Sequence, residues 1–452
     1  MINMYKFLTF LFILATTAMA NTNPTTASIE ELRQMVVDLQ SEVSDLKNQD
    51  KTWLNQQRAD QVRDLVHDVL ADADTRSSLQ GSGVTAGYDG GAFLQSADGN
   101  WKLKINGQVQ ARWLYNRADG QDSEHGFEQR RTKAIFSGHV ADPSWVYRIV
   151  ATWSHATWPQ SGGASVTEDA WVGKKFDDGS WFKFGQFKGN FLRESIVSSG
   201  TQLGVERTML DNAFTYGWTQ GLEYGWKNDE MKVVLQYTDG PNRANTSGLT
   251  APTNAITGRV EFRFGDASWK DYGSLTSKSG AKTGWLLGVA YENYDSDSGT
   301  LEYGNADAND SHGWTVDVSY RADGWNFFAY AVETTGKDTT TNDEQKSSGW
   351  LAQGGFLMNE NVELFAQYQK GEVDDESMDM DAFRIGFNYW PTADSNNVKW
   401  TTDLAWAGKT LTDGNGGGNS SADWVSSGNG WRIDDAGEKE QMLLRTQLQL
   451  LF

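Results

Sequence analysis

EKEQMLLRTQLQLLF (438–452) is a stretch with two faces. Counting back from Phe452 in steps of two gives Leu450, Leu448, Thr446, Leu444 and Met442 on one side. Gln449, Gln447, Arg445 and Gln441 lie on the other, with Leu451 and Leu443. Period-two alternation makes a strand with one apolar and one mostly wet face. An apolar strand at a soluble protein's terminus would fray. A strand that closes a barrel and turns its apolar side to lipid would not.

The same period recurs along the chain. WKLKINGQVQARWLY (101–115) sets Leu103, Ile105, Val109, Ala111, Trp113 and Tyr115 against Lys102, Lys104, Gln108, Gln110 and Arg112. About sixteen such segments follow one another from 101 to 452. RVEFRF (259–264) alternates cleanly, whereas 348–357 is weak. After even-numbered segments the connections are short, as in VADPSW (140–145), FDDGSW (176–181) and YRADGW (320–325). After odd-numbered segments they are long. Short turns on one side and long loops on the other is the layout of an outer-membrane barrel. The connection 265–284 breaks the rule and reads as a miscount or an insertion. Trp145, Trp181, Trp285, Trp325, Tyr320, Trp400, Trp218, Tyr291, Trp314 and Tyr389 sit at segment ends, as two interfacial girdles would require. The expected fold is all-β: a 16-stranded antiparallel transmembrane β-barrel with an N-terminal coiled-coil helix.

Four regions are expected. Residues 1–20 read as a secretory signal, with Lys6, an apolar run and Ala18-Met19-Ala20 at the cleavage site. Residues 21–80 read as a periplasmic stalk and linker. Ile29, Leu32, Val36, Leu39, Val43 and Leu46 form an a/d seam, and Ser28 with Glu31 a capping box. The β-branched a positions lean towards a dimer. Residues 81–100 read as a Gly-rich linker, and 101–452 as the barrel.

Cysteine is absent, so neither disulfides nor thiolate metal sites arise. The net charge of −21 excludes nucleic acid as a partner. No H-E-x-x-H, G-x-S-x-G or P-loop occurs among scattered histidines, so no catalytic set is nominated and no cofactor or metal is expected. The acidic stretches 293–313 and 371–381 read as solvated loops that can also bridge cations to lipopolysaccharide. The sixteen segments carry net positive charge, mostly in the first eight, so the connections carry the acid. Charge on a lipid face costs roughly 2–4 kcal/mol at mid-membrane, which assigns Lys102, Lys104, Arg112, Arg131, Lys133, Arg148, Lys188, Arg259 and Arg263 to the lumen. A cationic lumen favours anions.

FKFGQFKGNFLRESIVSSGTQLGVERTMLDNAF (182–214) carries Gly185-Gln186-Phe187-Lys188, Ser198-Ser199, Glu206-Arg207 and Asn212-Ala213-Phe214 in order. With FEQRRTKAIFSG (127–138) and EDAWVGKKF (168–176), this region resembles the phosphate-selective porin O and P family. The resemblance implies a homotrimeric outer-membrane porin whose third loop enters the lumen. Here 189–217 is that loop, with a short helix expected over 203–213. Arg193, Glu194, Glu206, Arg207 and Asp211 would then crowd the constriction. The chain departs from the family pattern where Gly189-Asn190 replaces a proline, and where later strands offer few inward cations beyond Arg384 and Arg445. The expected partners are membrane lipid and lipopolysaccharide, further copies of the chain, and small ions or solutes. Two rival roles are a barrel anchor whose stalk binds the cell wall, and a barrel enzyme.

Overall fold

The computed structural model describes residues 34–42, 44–45, 63–64, 83–153, 166–246, 253–296, 310–337, 344–374, 379–393, 395–409, 411, 424–425, 428–432 and 440–452. The chain divides into two units, Met1–Gly81 and Ser82–Phe452. In the first, the described residues are helical, and Val36 and Leu39 of the heptad seam are exposed. The signal segment, most of the heptad pattern and the acidic stretches 297–309 and 375–378 lie outside the described residues.

The second unit opens with a hairpin, β1 (Val84–Tyr88) and β2 (Ala92–Ser96). This corrects the linker expected over 81–100. The strands are five residues each and their Gly-rich turn reads as a spacer, so composition hides them. β2 pairs along the first residues of β3 (Lys102–Arg117), from Gln95↔Lys102 to Ala92↔Ile105.

Fifteen further strands complete an antiparallel ring. They are β4 (Glu124–Val140), β5 (Asp142–Trp153), β6 (Val166–Lys175), β7 (Ser180–Lys188), β8 (Trp218–Lys227), β9 (Met231–Thr238) and β10 (Thr253–Gly265). Then come β11 (Gly284–Ser296), β12 (Asp310–Ala322), β13 (Trp325–Lys337), β14 (Glu344–Asn359), β15 (Val362–Val373), β16 (Met380–Tyr389), β17 (Val398–Ala407) and β18 (Gln441–Leu451). β18 closes on β3, from Leu451↔Gln108 to Met442↔Arg117. Closure removes the unpaired edges that an open sheet would present. The ring is therefore sixteen strands, β3 to β18.

The outward face is apolar, with Ile256, Phe262, Leu287, Val289, Val316, Leu448 and Leu450 all exposed. Aromatic pairs mark both ends: Trp285–Tyr320 and Trp325–Phe356 near the short turns, Trp350–Tyr368 near the long loops. This is the surface of a barrel set in lipid. The weak segment 348–357 is part of a full 16-residue strand. Its inward Gly349 faces Leu210, and a Cβ there would lie 2.4 Å from the leucine Cδ2. Alternation fades at that position because the lumen is already filled.

Candidate functional site

The filling is residues 189–217, between β7 and β8. The segment holds α1 (Arg193–Ile196), a 3-10 turn at Ser199–Thr201, and α2 (Met209–Phe214). Thr208 caps α2, its Oγ1 accepting the Asp211 N–H at 3.0 Å. The helix expected over 203–213 starts later because the wall takes the backbone groups before it. Asp403 accepts the Val205 N–H at 2.9 Å, while Arg384 donates to the Glu206 carbonyl at 2.7 Å. Lys399 and Asn388 donate to the carbonyls of Gln202 and Leu203. A backbone bonded to strands cannot also bond within a helix.

One side of this loop is apolar. Phe191, Leu192, Leu203, Met209, Leu210 and Phe214 are buried against Ala290, Phe328, Val332, Leu351, Phe365 and Leu443. Each such side chain contributes about 1.5–3 kcal/mol when fully buried. The loop is thus packed onto the β10–β18 wall, and that half of the lumen is a hydrophobic core.

The other half stays wet. Between the loop and the β3–β8 wall lies a cavity of ≈ 470 Å³. Arg130, Arg131, Lys133, Arg148, Lys188 and Arg207 line it, with Glu168, Asp169, Glu206 and Asp211. Six cations against four carboxylates leave an excess of two positive charges. Most are paired: Lys133–Glu168 at 2.6 Å, Arg148–Asp169 at 2.8 Å, Arg207–Asp211 at 3.8 Å. Lys188 instead donates to the Ser195 carbonyl at 2.8 Å and lies 4.2 Å from the centre of the Trp218 ring. Glu206 meets Arg130, Arg131 and Arg112 together, at 2.6, 2.6 and 3.5 Å. Burial would raise the Glu206 carboxyl, but these guanidiniums prevail and hold it well below the carboxylate range.

Of the cations expected in the lumen, Arg131, Lys133, Arg148 and Lys188 line this cavity. Arg112 is fully buried beside it, bound to Glu128 and Glu206. The others sit elsewhere. Lys102 lies 4.3 Å from the Phe93 ring centre and Lys104 against the Gly90 turn, both at the β1–β2 hairpin. Arg263 is on the rim, donating to the carbonyls of Asp229 and Ala267 and stacking over Trp269. Arg259 is shut behind the loop, on Glu261, Asp317 and the Phe191 carbonyl.

Among the residues expected at the constriction, Glu206, Arg207 and Asp211 face the cavity. Arg193 does not; it ties α1 to Glu261 at 2.9 Å and to the Tyr272 carbonyl at 2.5 Å. Glu194 is inside the loop, accepting from the Thr208 N–H at 2.9 Å and hydroxyl at 2.6 Å. Burial, then nearby Asp211, push its carboxyl up to about 7.

Period-two reading overlooks Arg130, Glu168 and Asp169, and the register explains it. Gln110 pairs with Arg131 and Ala111 with Gln129, leaving Arg130 as the extra residue of a bulge. Likewise Ile149 pairs with Ala170 and Ala151 with Thr167, so Glu168 and Asp169 together oppose Val150. Bulges re-aim side chains, and both of these aim charge into the cavity.

The long connection 266–283 is an insertion, not a miscounted strand. It carries a 3-10 turn at Asp271–Gly273 and buries Ala267, Tyr272, Leu275 and Ser277. Leu275 N–H donates to the Thr201 carbonyl at 2.9 Å, joining the insertion to the lumen loop. Ser277 N–H donates to Glu363 at 2.5 Å, and Lys278 to the Ala393 carbonyl at 3.1 Å. The insertion therefore straps the short-turn end of the apolar half.

Comparison with known proteins agrees with this geometry. The solved anion-selective porin from Comamonas acidovorans is 15% identical, with a TM-score of 0.51 over 77% of this chain and 99% of that one. The outer membrane channel DcaP of Acinetobacter baumannii is 13% identical, with a TM-score of 0.50 over 78% of this chain and 98% of that one. Salmonella typhi OmpF, solved with daunomycin, is 13% identical, with a TM-score of 0.50 over 81% and 100%. At such identities the likeness is one of fold. No curated protein matches by sequence. The model of one family, described as phosphate-selective porin O and P, matches residues 103–413, well over half the chain. A ring of sixteen strands, a loop folded into its lumen and that match lead to one conclusion: the chain belongs to the phosphate-selective porin O and P family, outer-membrane porins.

Proposed function

We propose that this porin lets small hydrophilic solutes diffuse passively across the outer membrane, and that it prefers anions. The observation that carries this is the cavity lining, with six cations to four carboxylates. Among the described residues, Lys188 is bound to a carbonyl and an aromatic ring rather than to a carboxylate, which leaves its charge for a passing anion. Selection is steric and electrostatic, with no turnover. The acidic connections oppose it, since a negative vestibule attracts cations. Exposed loop charge is screened over a Debye length of about 10 Å at 0.1 M salt, whereas charge lining the passage acts at contact distance. The wall therefore decides. The anion selectivity described for the Comamonas porin, on the same fold, is in keeping with this reading.

A homotrimer is the assembly the family resemblance implies. The helical residues 34–42, with Val36 and Leu39 exposed, fit a coiled-coil stalk, whose dimer-leaning seam adds nothing to the trimer; the rival reading makes that stalk a tether to the cell wall. The test of function is the reversal potential of the purified protein in a planar bilayer under a KCl gradient. The sign set by chloride is expected. A potassium sign would mean that the loops govern permeation and would overturn the anion preference.

A further inference from the structure

The β1–β2 hairpin continues the barrel wall at its closing seam. β3 pairs with β18 as far as Gln108↔Leu451, and Gly107 bonds through its backbone to Phe452. Just beyond, β2 takes the same edge of β3, from Ile105↔Ala92 to Lys102↔Gln95. β1 then pairs on β2, from Tyr88↔Ala92 to Val84↔Ser96. This is the short-turn end of the barrel, so the hairpin lies on its periplasmic side. Paired residues share a face, and the register sorts the hairpin into two sides. Val84, Ala86, Tyr88, Ala92 and Leu94 share the side of Leu103 and Ile105, which is the outward face of β3. Thr85, Gly87, Phe93 and Gln95 share the other side, with Lys102 and Lys104. There Phe93 lies over Gly87, where a Cβ would come within 2.6 Å of the ring, and Lys102 sits 4.3 Å from the ring centre.

The apolar side is open: Val84 is 60% exposed, Tyr88 66%, Leu94 39% and Ile105 39%. It runs on without a break through Ile105↔Phe136 and Phe136↔Ile149, along the lipid-facing surface of β3, β4 and β5. Surfaces that meet only water seldom carry so continuous an apolar strip. Tyr88 lies level with Ile105, two residues from the contact of Gly107 with the exposed Phe452 ring. Aromatic side chains at that level belong to an interfacial girdle. We propose that the hairpin is seated in the periplasmic leaflet of the outer membrane. Val84, Ala86 and Leu94 rest on phospholipid acyl chains, and Tyr88 marks the headgroup boundary. Lipid is the occupant because the strip is continuous with a wall that lipid already covers. The inference rests on the barrel's place in the outer membrane and not on what passes through it.

The chain has no cysteine, so one introduced thiol reports one position. Ala86→Cys and Leu94→Cys each put a fluorescent label on the apolar side. Thr85→Cys and Gln95→Cys put it on the other. Each full-length variant is labelled and reconstituted into vesicles of phosphatidylethanolamine and phosphatidylglycerol. Quenching is then read with nitroxide-bearing phospholipids, and separately with iodide on both sides of the bilayer. Lipid quenching should be about threefold or more stronger at positions 86 and 94 than at 85 and 95, and iodide should reverse the order. Two positions on each side keep the test intact should one variant fail to fold. Equal iodide quenching at all four would place the hairpin in water and overturn the proposal. Labels at 86 and 94 shielded from both quenchers would mean that a second copy of the chain covers the strip, which overturns it as well.

Discussion

Lys188 and Arg130 show how differently two cations of one cavity are written in the chain. Lys188 lies in a strand whose alternation and G-Q-F-K signature both point to it. Arg130 lies beside Arg131 and by parity should face lipid, yet a bulge turns it to Glu206 at 2.6 Å. A bulge depends on the partner strand's register, which local periodicity does not contain. Glu168 and Asp169 are hidden for the same reason. Misplacement also runs the other way: Lys102 and Lys104 alternate correctly but fall where β3 pairs with the hairpin, beyond the lumen. The residue-scale prediction concerns Lys188. A unit charge about 6 Å from a permeating ion is worth roughly 0.7 kcal/mol at the dielectric of water. Lys188→Gln should lower the chloride-to-potassium permeability ratio about threefold or more, read from the reversal potential. A ratio unchanged in a folded barrel would mean that the Lys188 ammonium does not face the ion path.

At the scale of elements, the sixteen strands were legible because a lipid-facing wall enforces period two along every one of them. The elements inside the barrel were less so. The loop's length announced it, but its helix begins at Met209, since Arg384, Lys399, Asn388 and Asp403 take the preceding backbone groups. Such bonds join residues nearly two hundred positions apart and leave no local signature. The insertion 266–283 was visible only as an exception to the turn rule. Its hydrogen bonds to Thr201, Arg193 and Glu363 make it the support of the lumen loop. Gly265 pairs with Gly284, so a short turn can replace the insertion without altering either strand's register. That deletion should raise single-channel conductance and admit larger sugars in a liposome-swelling assay. Unchanged conductance and size limit would show that the loop holds its position on the apolar wall alone.

For the whole molecule, the governing fact is that the lumen is split lengthwise. The β10–β18 side is core and the β3–β8 side holds the charged cavity. The excess of basic residues in the first eight segments had this meaning, although composition alone could not say that the other half would be packed. The split also places weight on closure, because β3 carries Gln108, Gln110 and Arg112 of the cavity side and pairs with the last strand. Closure ends at Phe452, which exchanges two backbone hydrogen bonds with Gly107, at 2.6 and 3.1 Å. The phenyl ring lies over that glycine, and a Cβ there would meet it at 2.3 Å. An aromatic ring that covers a strand glycine shields backbone no side chain could cover. Gly107→Val must displace the ring, and overpacking of this kind costs about 1–3 kcal/mol. We expect a lower temperature for the shift from folded to unfolded migration on a gel. Phe452→Ala should lower it too, and the double variant should be no worse than Phe452→Ala alone, since the clash needs both groups. Strictly additive losses would mean that valine acts on the strand itself, and that the terminal ring and the glycine are not one closing contact.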